Sequence, residues 1–376
     1  MPHPIPLFRP LATPADLAGL ESALAPGASP GRMRRLLETT VAEIVRRPFG
    51  VGVGSPGAAV EVALRALGVG PGDEVIVPAL GAVEAADAVV RVHATPVFAD
   101  VDPRSLGLSA ATAEPLVRER TRALVAITML GDAGGLEDLA RLCTKHEIPM
   151  LEDASDALGG TLGGYPAGRY GRIALVALTD DRVAPASGAT VLVTHDDQLA
   201  ARSRAFRSPY DTADSNEVER VGVDCPLDEF RAAVALPRLS RLEAAHEARR
   251  RLADVYLRHL AGQPDLILPS PRGDGGACWP RFCVRLSDRF SRYDRDEILQ
   301  GLRRHEIHAS EGPVAVPNLP RHGPRIGHAN GSFPVAERAA DRSVCLPFFE
   351  GLSEREVDLV CQTLDLMLQR NTFRRD

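Results

Sequence analysis

Two carboxylates follow a short apolar segment in the first half of the chain. The apolar pattern predicts residues 148–151 to be a buried strand; Asp153 lies at the end of this strand, and Asp156 follows three residues later. A carboxylate at a strand end faces the cleft of a sheet and can act as a general acid or base if its neighbours adjust its proton affinity. Asp153 is therefore a candidate for a catalytic residue.

A glycine-rich segment precedes an amphipathic helical pattern. Residues 52–57 match G-x-G-x-x-G between a strand and a helix, a spacing that is typical of dinucleotide-binding sites. Such a site also needs an acidic residue at the end of a second strand, but Asp73 and Glu74 stand at the start of theirs. We therefore interpret the segment as a strand-to-helix turn and not as an NAD site.

Composition disfavours several classes of partner. The 376 residues, 44% hydrophobic and 25% charged, are typical of a soluble globular protein. The net charge of −6 gives no field that would favour nucleic acid. No segment approaches the ~20 apolar residues of a membrane span. The prolines within residues 1–10 leave no apolar core for a secretory signal, so we expect a cytoplasmic protein.

The six cysteines form neither a CxxC pair nor a cluster with zinc-finger spacing. In a cytoplasmic protein such thiols are expected to be reduced. We therefore predict no metal site.

Strands and helices alternate through the first half of the chain. Helical patterns lie between apolar segments that are predicted to be strands at residues 49–53, 74–77, 95–99, 123–129, 148–151, 173–178 and 190–194. This alternation predicts an α/β fold with a mainly parallel sheet that is covered on both faces.

The second half of the chain has a different character. Residues 227–259 form a long helical pattern, residues 264–277 a Pro/Gly linker and residues 281–286 a half-exposed strand. We predict a large α/β domain over residues 1–240 and a smaller C-terminal α+β domain over residues 241–376.

Four segments occur in an order and at a spacing that are specific to one family. They are residues 70–78 (GPGDEVIVP), 96–102 (PVFADVD), 149–157 (PMLEDASDA) and 334–338 (PVAER). These segments resemble the DegT/DnrJ/EryC1/StrS family of sugar aminotransferases, which use pyridoxal phosphate (PLP). The resemblance implies a type I aminotransferase fold and a homodimer with its sites at the subunit interface.

The resemblance also implies what the cleft should contain. In this fold PLP needs a lysine for its internal Schiff base, a carboxylate for its ring nitrogen and a helix N-terminus for its phosphate. Asp153 matches the carboxylate. A gapless match places Arg182 at the lysine position, and arginine is a poor nucleophile because it stays protonated. The single lysine of the chain, Lys145, falls at the end of a predicted helix elsewhere.

Other cofactor positions of the family have changed as well. The phosphate turn reads Ser55-Pro56-Gly57 and lacks a threonine, Ala82 replaces the aromatic residue that stacks on the PLP ring, and Ala177 replaces a serine. Each contact is worth about 1–3 kcal/mol, so their joint loss would remove tight binding of the cofactor. We therefore expect no cofactor, although non-covalent binding of PLP stays possible.

Three functions are compatible with these residues. The first is PLP-independent acid/base chemistry on a sugar or specialised metabolite, as in antibiotic biosynthesis. The second is a non-catalytic partner of an active aminotransferase. The third is an aminotransferase or dehydratase that binds PLP or its amine form without a covalent bond.

The small-molecule site is predicted from the former cofactor cleft and the substrate loop of the family. We expect catalytic roles for Asp153, Arg182 and Asp156. Substrate contacts are expected from Asp181, His308 and Glu311.

Overall fold

The computed structural model describes residues 4–9, 12–27, 29–179, 188–208, 222–270, 278–322 and 331–373. The strands of the first half are β1 (Phe49–Val53), β2 (Glu74–Pro78), β3 (Thr95–Ala99), β4 (Thr121–Ile127), β5 (Met150–Asp153), β6 (Thr161–Leu162), β7 (Tyr165–Pro166), β8 (Ile173–Leu178) and β9 (Ala189–Thr194). The helices of this half are α1 (Pro14–Leu24), α2 (Arg32–Val45), α3 (Pro56–Ala66), α4 (Val83–Arg91), α5 (Ala110–Ala113), α6 (Leu136–Lys145), α7 (Asp197–Arg207) and α8 (Glu229–Leu239).

Seven strands form one sheet in the order β1-β9-β8-β5-β4-β2-β3. The pairs from β8 to β3 are parallel, whereas β9 runs antiparallel to both of its neighbours. All six residues of β8 are buried, and alternate ones belong to two different core clusters. One cluster includes α3 and α4, and the other includes α2 and α8, so the sheet is covered on both faces as predicted.

The second half contains a smaller antiparallel sheet. Its order is β10-β11-β13-β12. The elements of this half are α9 (Leu242–Leu260), β10 (Leu266–Ile267), β11 (Phe282–Leu286), α10 (Arg292–Arg304), β12 (Ser310–Glu311), α11 (Pro334–Arg342), β13 (Ser343–Leu346) and α12 (Glu354–Phe373). A separate core cluster joins this sheet to α9, α10 and α12.

The long helical pattern over residues 227–259 is two helices in the structure, because Ser240 and Arg241 separate α8 from α9. Ile5 pairs with Ile307 and belongs to the core cluster of the second half. The first residues of the chain therefore pack with its C-terminal part. The division at residue 240 stays a prediction.

Candidate active site

A cavity of about 450 Å³ opens where the parallel strands end. This edge of the sheet carries the ends of β4, β5 and β8, and ligands of α/β sheets bind at such edges. Its charged lining residues in the described part of the chain are Glu84, Asp153, Asp156 and Arg281. The other described residues that line it are Pro56, Val60, Gly81, Ala82, Val83, Ala85, Val125, Ile127, Met129, Leu130, Leu175, Thr179, Gly312, Pro313 and Val314.

Asp153 is the last residue of β5 and is fixed by its neighbours. Its Oδ1 accepts hydrogen bonds from the backbone N–H of Ser155, at 3.0 Å, and from the Ser155 hydroxyl. The oxygen of that hydroxyl accepts in turn from the backbone N–H of Ala177, at 2.9 Å. Ser155 thereby connects Asp153 to β8, and this carboxylate has a defined orientation at the cavity.

Glu152 precedes Asp153 and lies on the opposite face of the sheet because side chains alternate along a strand. Its carboxylate is buried and accepts from the backbone N–H groups of Gly168, Tyr170 and Gly171, at 2.5, 2.9 and 2.9 Å. Burial raises the pKa of Glu152 in spite of these hydrogen bonds. Glu152 therefore anchors a loop, and Asp153 alone of this pair lines the cavity.

Asp156 lies in the short 3-10 turn Ser155–Ala157 and is 7% exposed. Its Oδ2 accepts from the backbone N–H of Leu130 at 3.1 Å. The structure therefore brings the two predicted carboxylates, Asp153 and Asp156, to one cavity.

The start of α3 forms part of the wall through Pro56. Ser55 is the N-cap of this helix, and its hydroxyl oxygen accepts from the backbone N–H of Ala58 at 3.3 Å. The carbonyl of Gly57 accepts from the Arg91 guanidinium at 2.9 Å. The helix N-terminus that would hold a phosphate is thus present next to the cavity.

The opposite wall is closed by a tight contact between two chain segments. Gly81 has φ of +73° and donates its N–H to the carbonyl of Val314 at 2.8 Å. A Cβ at Gly81 would lie 2.3 Å from Cε of Met129, which would have to move, and the positive φ would strain any larger residue. Ala82 is buried beside it and begins α4 as its N-cap. Among the former cofactor positions, Ala82 lines the cavity, whereas Ala177 lies in the core next to it.

Two other predicted residues, His308 and Glu311, are not among the described residues that line this cavity. The backbone N–H of His308 donates to the carbonyl of Ile5 at 2.9 Å. Glu311 is 57% exposed and pairs with Arg295 at 3.2 Å. Asp181 and Arg182 lie outside the described residues.

Several lining residues were missed by the sequence analysis. Glu84 and Arg281 line the cavity, and so does the segment Gly312–Val314 from the second half of the chain. Glu84 could have been found from the sequence, because it is an acidic residue in the first turn of the helix that follows β2. No local pattern marks Arg281 or residues 312–314.

Lys145 lies at the C-terminal end of α6, close to where β5 begins. Its side chain is 67% exposed, and its Nζ donates to Oε1 of Glu114 at 2.5 Å. Since Asp153 ends β5 at the other edge of the sheet, the single lysine of the chain is separated from the cavity by the length of that strand.

The sequence profile of the DegT/DnrJ/EryC1/StrS aminotransferase family matches residues 20–365. The chain belongs to this family. A UDP-N-acetyl-3-dehydro-alpha-D-glucosamine 3-aminotransferase of Acidithiobacillus ferrooxidans is 31% identical to it over 330 residues, which are 87% of this chain and 86% of that relative.

Two solved structures of aminotransferases are similar in fold. DesV of S. venezuelae, in complex with a ketimine intermediate, is 28% identical with a TM-score of 0.88 and covers 97% of this chain and 99% of its own. The putative sugar aminotransferase Spr1654 of Streptococcus pneumoniae, in its PMP form, is 21% identical with a TM-score of 0.89 over 100% of both chains. The predicted fold class is confirmed.

These comparisons contradict the prediction that no cofactor binds. The family is one of aminotransferases, the DesV structure holds a ketimine intermediate, and Spr1654 has a PMP form. The prediction relied on changed residues at Ala82, Ala177 and the phosphate turn. It did not consider the cofactor-binding features that the chain retains. Asp153 and the N-terminus of α3 are both present at the cavity.

No helix in the described part of the chain is long and apolar enough to cross a membrane. No group of three or more His, Cys, Asp or Glu side chains within the described ranges could hold a metal ion.

Proposed function

We propose that this family member transfers or removes a substituent on a keto sugar, with PLP or its amine form, pyridoxamine phosphate (PMP), held in the cavity without a covalent bond. The observation that carries the proposal is the position of Lys145. Every other cation-bearing side chain of the chain is arginine or histidine, and neither forms a stable Schiff base as lysine does.

The described residues fit a non-covalent cofactor. Asp153 would pair with the ring nitrogen. The N-terminus of α3 would bind the phosphate through the backbone N–H of Gly57 and the helix dipole, because Pro56 has no N–H and that of Ala58 donates to Ser55. When bound, the cofactor supplies an electron sink and, in its amine form, the nitrogen to be transferred. The protein then has to orient the sugar, exclude water and move protons. Arg182 is proposed to bind an anionic oxygen of the cofactor or substrate.

A sugar substrate is supported by the family and by the relative from Acidithiobacillus, which acts on a UDP-linked dehydro sugar. The cavity of about 450 Å³ lies within the range of small-molecule sites. We infer a biosynthetic role in sugar or specialised metabolism and a homodimeric enzyme.

A lysine-free variant tests the proposal directly. Lys145→Arg removes the last lysine, and we expect it to bind PMP with the affinity of the wild type, measured by equilibrium dialysis. Both proteins should convert UDP-N-acetyl-3-dehydro-α-D-glucosamine to an amino sugar in a single turnover, detected by mass spectrometry. A wild-type protein that binds neither PMP nor PLP would overturn the proposal.

The same material tests the mode of attachment. After PLP addition, borohydride reduction and peptide mapping, Lys145 should be the only side chain of the wild type that carries a pyridoxyl group, as a surface reaction. The variant should carry none on any side chain and should show no yellow colour that survives dialysis. Loss of cofactor binding in Lys145→Arg would show that attachment through this lysine is essential.

The second candidate, a non-catalytic partner of an active aminotransferase, is favoured by Ala82, which offers no ring for stacking. It becomes the leading function if PMP does not bind. A pull-down with a lysine-bearing aminotransferase of the same pathway would then test it.

A further inference from the structure

A cleft that uses PMP without lysine needs another group to take up and release a proton. Among the described lining residues, the carboxylates that could take up a proton are Glu84, Asp153 and Asp156. Arg281 stays protonated and cannot act as the base. The described lining includes no histidine, cysteine or tyrosine.

Two of the three carboxylates are engaged by the backbone around them. Asp153 accepts from the N–H and hydroxyl of Ser155. Asp156 is 7% exposed and accepts from the N–H of Leu130. A carboxylate that shuttles a proton between two carbons has to reorient, and these contacts hold both aspartates in place.

Glu84 differs from the two aspartates because its side chain is more exposed and is not held by hydrogen bonds. It is the second residue of α4 and is exposed at the cavity. In the part of the chain that the structure describes, its carboxylate makes no hydrogen bond and no ion pair. Glu84 is the acidic residue in the first turn of α4, and this helix has no side-chain N-cap that would compete for the position.

The backbone under Glu84 is fixed even though its side chain is not. The N–H of Gly81 donates to Val314 at 2.8 Å, and the N–H of Ala86 donates to Ala82 at 2.9 Å. A residue on such an anchored turn can hold a reproducible distance to a ligand in the cavity, while three side-chain torsions let its carboxylate move.

We propose that Glu84 is a catalytic residue that carries the proton which a cleft lysine would otherwise move. This inference rests on the proposed function. Once the nitrogen of PMP had condensed with the sugar carbonyl and released water, a carboxylate oxygen of Glu84 would accept one proton from the aminomethyl carbon and donate one proton to the sugar carbon. Water would then release the amino sugar and leave the cofactor carbon as an aldehyde, so the oxidation of that carbon balances the reduction of the keto carbon. Glu84 thus ends in its starting state, and no external oxidant or reductant is needed.

The decisive variant is Glu84→Gln, which keeps the shape of the side chain and removes the base. Glu84→Asp is the conservative variant, and Glu247→Gln is the matched control, because Glu247 is 59% exposed on α9 and pairs with Arg251. Each protein is first assayed for PMP binding by equilibrium dialysis. Deuterium entry into the aminomethyl group of PMP is then followed by NMR in D₂O with UDP-N-acetyl-3-dehydro-α-D-glucosamine.

We expect Glu84→Gln to bind PMP within about threefold of the wild type and to exchange deuterium about 100- to 10,000-fold more slowly. Glu84→Asp should recover part of the rate, and Glu247→Gln all of it. Exchange at the wild-type rate in Glu84→Gln overturns the role of Glu84 and leaves the proposed function intact.

A wild-type protein that binds PMP without any exchange also overturns the role of Glu84, because the cleft then moves no proton. A wild-type protein that does not bind PMP overturns the proposed function together with this inference. The binding and exchange measurements therefore distinguish the two failures.

Discussion

The Asp156 carboxylate accepts a hydrogen bond from the backbone N–H of Leu130, and Leu130 has φ of 54°. This left-handed conformation is unfavourable for a leucine and persists only where its surroundings hold it. Asp156 therefore fixes a turn in the cavity wall, whether or not it also contacts substrate.

Replacing Asp156 by alanine should lower the free energy of unfolding by about 1–3 kcal/mol, since the half-buried N–H of Leu130 loses its acceptor. Asp156→Asn keeps an oxygen acceptor and should cost less. Urea unfolding followed by circular dichroism measures both, with the exposed Asp138→Ala on α6 as the control. Equal stability of Asp156→Ala and the wild type would show that the turn does not depend on this hydrogen bond.

Asp153→Asn and Arg182→Ala should each lower conversion of the keto sugar about 100-fold or more, because both side chains are proposed to bind charged parts of one reacting complex. The double variant should lose less than the product of the two single effects. Arg250→Ala, at an exposed ion pair on α9, serves as the control. Full conversion by both single variants would exclude these two residues from the reaction.

The pair Asp87–His322 joins α4 to the segment that follows the cavity wall. The carboxylate of Asp87 lies 2.8 Å from Nε2 of the buried His322 and 2.8 Å from Nε of Arg321. Burial opposes ionisation of Asp87, but its hydrogen bonds and charge contacts with Arg321 and His322 outweigh burial and lower its pKa from 3.8.

A lowered carboxylate pKa stabilises the folded protein above the unfolded pKa, and this stability is lost as pH falls through the folded value. We expect Asp87→Asn to lower the free energy of unfolding at pH 7 by up to about 1 kcal/mol. The difference from the wild type should shrink below about pH 4, where the unfolded carboxyl group is protonated. Chemical denaturation at several pH values measures the difference in free energy of unfolding between the variant and the wild type. A difference that grows in acid would contradict a lowered pKa for Asp87.

The family assignment leads us to expect a homodimer with a large, permanent interface, above about 2,000 Å² in total. Light scattering at micromolar concentration should give about twice the monomer mass of 40.3 kDa. A stable monomer at that concentration would count against the dimer and against any cavity that depends on a partner subunit.

The parts of the fold that follow from local patterns were predictable. The apolar runs of β3 and β8 have the bounds Thr95–Ala99 and Ile173–Leu178 in both the sequence prediction and the structure. Helices with strong apolar periodicity, such as α6, agree within one residue. Asp153 could be assigned to the cleft because a strand end and a family motif coincide there.

The parts that depend on distant segments could not be predicted. The cavity wall closes where Leu80 bridges to Ala315, and no periodicity records that contact. The break between α8 and α9 coincides with ion pairs from Arg238 and Arg241 to Asp16 of α1, which again is a tertiary contact. The cofactor prediction failed for a different reason, since it considered changed side chains and not the backbone features that remain.

The exposed position of Lys145 has a practical consequence. It is the only side-chain amine of the protein, and the whole of β5 separates its region from the cavity. Amine-reactive dyes, biotin esters or activated resins should therefore attach to the folded chain at this one side chain and, apart from it, only at an N-terminal α-amino group. A protein immobilised through Lys145 would present its cleft to the solution, which suits surface-based screening of sugars and cofactors.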